Sequence, residues 1–149
     1  MDEMQKVDDW LATLLANLEP AARTRMLREV ARDVRRIQQQ NITAQRAPDG
    51  TAWEPRRMTA RTKQGRVKRK MFTKLKTAKY LKAQANTSHA EVLFIGQVQR
   101  IARVHHYGLR DRVSRGGPEL RYAARPLLGV NANVESSIRE TLLQWLSDN

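Results

Sequence analysis

Apolar residues at Val7, Trp10, Leu11, Leu14, Leu15 and Leu18 recur at three- and four-residue spacing and predict an amphipathic helix. Asp2, Glu3, Asp8 and Asp9 fall near its positive end, where the macrodipole favours acids. At Glu19-Pro20 the pattern restarts, because proline stops one helix and suits the first position of the next. Met26, Leu27, Val30, Ala31, Val34, Ile37 and Ile42 keep the same period, predicting a second helix that reaches about Arg46. Two helices joined at a proline, each with a narrow apolar stripe, suggest an antiparallel pair or a long arm packed on a sheet or a neighbour. Exchange of the first helix between copies is compatible with that pattern.

Ala47-Pro48-Asp49-Gly50 is a turn by composition. Thr51 to Arg69 shows neither helical nor alternating period and reads as an extended basic loop, with Trp53 expected to anchor it on the domain or to meet another subunit. From Lys68 to Lys79, Met71, Phe72, Leu75 and Ala78 share one side of an expected helix. Tyr80 to Ala85 alternates, Asn86-Thr87-Ser88 turns, and Ala90 to Gly96 is the clearest strand, so an antiparallel hairpin is expected. Gln97 to Tyr107 returns to helical spacing through Val98, Ile101, Ala102 and His105, and Gly108 stands where a left-handed cap wants glycine. Leu109 to Tyr122, with alternating charges around two glycines, reads as an exposed loop. Ala124 to Gly129 forms a stop and turn whose leucines enter the core. Asn131 or Asn133 then caps a helix with Val134, Ile138, Leu142, Trp145 and Leu146 on one face. The expected fold is α+β: N-terminal helices, a small antiparallel β-sheet with packed helices, a C-terminal helix and a long basic loop. The chain of 149 residues fits one domain, divided into a helical region at 1–46, the basic loop at 47–69 and an α+β core at 70–149.

Composition sharpens this picture. Only eight residues are aromatic, so the core must be mainly aliphatic, and such a small core is often completed by a neighbouring subunit. The absence of cysteine excludes disulfides, cysteine zinc sites and thiol nucleophiles, and fits a reducing cytoplasm. An acidic start and no long apolar run predict a soluble chain without a secretory signal or a membrane span. The net charge of +13 is concentrated: Pro55 to Ala90 holds no acid, and twelve residues between Arg56 and Lys82 are basic. Such a field suits an acidic protein surface or, without sequence specificity, duplex phosphates. Only Phe72 and Tyr80 could stack on bases there, and no DNA-binding signature is present.

Catalytic sets are lacking. His89, His105 and His106 are the only histidines; the adjacent pair points to different sides of a helix and has no metal-ligand spacing. Near a helix C-terminus, histidines are explained by capping and the macrodipole. Glu54, Glu91, Asp111 and Glu119 form no pattern that a carboxylate nuclease would need. Gly116-Gly117-Pro118 lacks the Lys-Ser or Lys-Thr helix start of a phosphate loop. Neither an enzyme nor a cofactor or metal site is expected.

Three blocks carry a family likeness: DGTAWEPRR at Asp49 to Arg57, KMFTKL at Lys70 to Leu75, and FIGQVQRIARVHHYGLRDRVSRGGPELRYAARPLLG at Phe94 to Gly129. Together they resemble the virion-morphogenesis or tail-completion proteins of contractile-tailed temperate phages. The likeness runs from about Leu27 to Leu146 and is densest at ARVHHYGLRD and ARPLLG. It implies a structural protein that completes the tail at the head–tail junction, or neck, assembled in the host cytoplasm and carried in the virion. Implied partners are the tail tube or terminator, head-completion or connector proteins, and copies of the chain in a homo-oligomeric ring, such as a hexamer, that touches passing DNA non-specifically. Candidate docking residues are Trp53, Arg56, Arg57, Arg66, Lys68, Arg69, Lys70, His105, His106, Tyr107, Arg110, Arg112 and Arg115. The competing reading is a small basic protein that holds duplex DNA by its phosphates.

Overall fold

The computed structural model describes residues 3–57 and 70–148. The side chains of Val7, Leu11 and Leu14, on the expected first stripe, lie outside the described residues, as do Asp2 and the candidates Arg66, Lys68 and Arg69. Among the described residues, four helices and two small antiparallel sheets make an α+β fold. Helix α1 spans Glu3–Asn17 and α2 spans Pro20–Thr43. Between them Glu19 is extended (φ −61°, ψ 148°), and Pro20 opens α2, whose first turn needs no amide at that position. Helix α2 is the spine. Met26, Val30, Ala31, Gln38 and Ile42 are its buried stripe, packed on the first sheet and on the C-terminal helix.

Strands β1 (Leu81–Ala85) and β2 (Ala90–Phe94) form the expected hairpin, in register from Leu81↔Phe94 to Ala85↔Ala90. Its turn is closed by Asn86, whose Oδ1 accepts from the amides of Ser88 and His89. Helix α3 (Val98–Tyr107) ends at Gly108 in the left-handed conformation (φ 68°). A Cβ at Gly108 would come within 2.8 Å of the Ala124 nitrogen, so both backbone sign and space demand glycine. Helix α4 (Ala132–Asp148) is capped by Asn131, whose Oδ1 accepts from the Val134 amide at 2.9 Å. Ile42, Ala47, Trp53, Met71, Leu75, Leu81, Phe94, Val98, Ala102 and Leu127 make one core beneath α2.

Three expectations are corrected. Among the described residues of the expected Lys68–Lys79 helix, 70–79 are turns instead: Leu75 bonds back to Phe72, Thr77 to Lys74 and Tyr80 to Thr77. Phe72 has a positive φ (63°), which ends any helical path, and the Gln45 side-chain amide pairs with both backbone groups of Met71. Leu109 to Tyr122 is not a plain loop but a second hairpin, β3 (Arg110–Arg112) with β4 (Glu119–Arg121). Ile101, expected on the inner stripe of α3, is largely in solvent, because Val98, Ala102 and Val104 take the buried face.

Candidate functional site

The segments DGTAWEPRR, ARVHHYG and ARPLLG are far apart in sequence and meet in one junction. Asp49 makes the first turn tight by accepting from the Thr51 amide at 2.8 Å, which holds its carboxyl below the usual range. Ala47 then bonds Thr51, and Trp53 bonds back to Gln45. The Trp53 ring enters the core, 6% exposed, and its Nε1–H donates to the Pro126 carbonyl at 2.9 Å. Arg125 is 8% exposed; its Nε donates to the Glu54 carbonyl at 2.8 Å and an Nη to that of Pro55 at 3.1 Å. Its own amide bonds the His105 carbonyl at 2.7 Å, while Leu127 donates to His106 Nδ1 at 3.1 Å. The end of α3, the loop after α2 and the stretch leading to α4 are thereby tied by side chains reaching backbone. Such bonds leave few buried polar groups unpaired.

Four rings cross the same junction. Trp53 meets Phe72 edge-on (centroids 5.5 Å), Phe72 lies 5.0 Å from His105, and His105 lies 4.6 Å from Tyr122. Burial is the main cause that holds His105 below the ordinary imidazole value; Arg125 and Arg56 add to it and Asp111 opposes it. Burial alone does the same for His106. Since His106 Nδ1 accepts a hydrogen bond, its ring is the neutral tautomer protonated at Nε2. Both histidines are therefore structural, but as neutral packing groups, not as cations on the helix dipole. Burial also lowers Arg125 from the ordinary guanidinium value, with Glu54 opposing.

These positions revise the candidate set. Trp53, His105 and His106 are taken up in the junction and present little docking surface. Arg56 is half-buried beside it; Arg57 and Lys70 are exposed. Tyr107 meets His106 edge-on (centroids 4.6 Å) yet stays 65% exposed. Arg110, Arg112 and Arg115 all project from the second hairpin into solvent, as does Arg121, which composition alone did not single out. Asp111, on the inner side, pairs with Arg100 at 2.5 Å and accepts from the Arg112 amide, which keeps its carboxyl below the usual range.

Sequence reasoning missed three polar side chains that hold backbone from inside the fold: the buried Arg125, the half-buried Gln45, and the buried Gln38, whose amide bonds both the carbonyl and the N–H of Gly129 (2.7 and 3.3 Å). A glutamine inside the stripe Val34-Gln38-Ile42 was the available signal for the last. Among the described residues no group of three or more His, Cys, Asp or Glu could hold a metal ion. The apolar cleft between α2, β2 and the start of α4, about 330 Å³, is lined by Val30, Val34, Val92, Leu128, Val130 and Ile138 and has one carboxylate, Glu91. No described helix is long and apolar enough to cross a membrane.

Comparison with known proteins gives two matches. Residues 2–147 match the sequence profile of the phage virion morphogenesis family. The chain is also similar to tail completion protein S of Escherichia phage P2, at 40% identity over 148 residues that cover 98% of this chain and 99% of that protein. No solved structure matches.

Proposed function

The chain belongs to the phage virion morphogenesis family, and from that premise we propose that it completes the phage tail as a structural virion component. In this reading it stands at the head–tail junction as a ring of identical copies, touches the tail tube or terminator and the head-completion or connector proteins, and turns nothing over. The observation that carries it is the division of polar groups. The buried or half-buried ones, Arg125, Gln38, Gln45 and His106, are occupied in holding backbone, whereas the arginines of the second hairpin are exposed, as are Tyr107, Val113 and Leu120. Arginine and aromatic side chains on an exposed, rigidly based element suit docking better than chemistry. Basic side chains facing a lumen would add weak contact with passing DNA.

Tails assembled without the protein provide the test. Purified protein is added, tail-bound mass is measured by light scattering, and head–tail joining is scored in the same samples. Retention on tails with restored joining is expected. Tails left untouched, together with a steeply salt-dependent shift of duplex DNA by the lone chain, would sink the reading in favour of DNA binding.

A further inference from the structure

The charge of this chain is divided between two places. Its first 22 residues hold five acids and one base, Lys6, against a whole-chain balance of +13. Most of that acidic stretch is α1, and Glu3, Asp8, Asp9 and Trp10 are exposed, the indole at 51%. A single 15-residue helix is marginal in water unless something packs on it. The second hairpin is the opposite case. Its register sets Arg110 directly across from Arg121 and Arg112 across from Glu119, all four exposed and, by strand alternation, on one face. Like charges directly opposed destabilise a strand pair. Glu119 relieves that face only from its place across from Arg112, and Asp111 lies on the other face and is held by Arg100.

We propose that the second hairpin is the receptor for helix α1 of another copy of this chain. The carboxylates of Asp8 and Asp9 bind Arg110 and Arg121, and Trp10 packs on the aliphatic stems of the same arginines. Guanidinium–carboxylate pairs are the strong, geometrically selective kind, and an aromatic anchor beside them is what interface centres are made of. Because donor and receptor are different surfaces, the contact is head-to-tail and can close into a ring. This deepens the ring proposed above and rests on that reading for its biological setting.

The test uses full-length protein and reads self-association, by sedimentation across a concentration series, apart from tail joining. D8K/D9K and R110E/R121E should each weaken self-association roughly tenfold or more, and the fourfold variant carrying both reversals should recover it. Circular dichroism checks that each variant is folded. The proposal is overturned by wild-type protein that stays monomeric at its solubility limit, by reversals that leave the mass unchanged, or by a fourfold variant that fails to recover. It is also overturned if R110E/R121E abolishes binding to a labelled DNA duplex while D8K/D9K does not alter the mass. Recovery of association without rescue of joining would keep this contact and remove the tail reading instead.

Discussion

Arg125 is the residue on which the junction closes, since one guanidinium supplies donors to two carbonyls, those of Glu54 and Pro55. Arg125→Met keeps the stem's packing but strands both acceptors, and should lower unfolding free energy by about 1–3 kcal/mol in a urea titration. Arg125→Lys, with a single nitrogen, should recover only part of that loss. The histidines add a pH dependence whose sign follows from their environment. Burial depresses the folded-state values of both, so the unfolded chain binds protons more readily. Their contribution to stability is complete above the ordinary imidazole value, near 6.5, and is lost as pH falls through the depressed values. Urea midpoints should therefore drop on acidification below that point. His105→Phe, which keeps a ring between Phe72 and Tyr122, should flatten the curve; an unchanged slope would rule His105 out as a contributor.

At the scale of elements, the cap of α3 decides where the second hairpin points. Gly108→Val places a β-branched residue in the left-handed region, at about 1–2 kcal/mol for the backbone alone, and drives its Cβ into Ala124. A lowered urea midpoint with an unchanged m-value is expected, and a wild-type midpoint would contradict the close packing described. This cap, the Pro20 start of α2, the Asn131 cap of α4 and the first hairpin were legible in the sequence because each depends on residues within a few positions of one another. What escaped depends on distant partners. The stretch after Lys70 has a helical apolar period, yet Gln45, 26 residues upstream, claims the Met71 backbone and the chain turns at Phe72. The 110–121 strands are three residues each, too short for alternation to register, and their charges looked like a loop. At the candidate site, Trp53 as an anchor could be read from one aromatic in a polar run. Arg125 could not, since its partners are 70 and 71 residues away.

For the whole molecule, α2 packs on the first sheet and on α4, while the junction fastens α3 and the loop after α2 to the stretch that leads into α4. Among the described residues from α2 to α4, few places remain where one part could melt before another, so that body should unfold in one cooperative step. Tryptophan fluorescence, which includes the core reporter Trp53, and far-ultraviolet circular dichroism should trace coincident urea transitions; separated midpoints would divide the chain into independently stable parts. The hairpin tip from Val113 to Pro118 closes on itself, through the Val113 bond to Pro118 and the Gly117 bond to Ser114, and contributes nothing to the core. For a virus this separates two inheritances. The tip can be rewritten, lengthened or exchanged as neighbouring virion parts drift, and the body that carries it would need no compensating change.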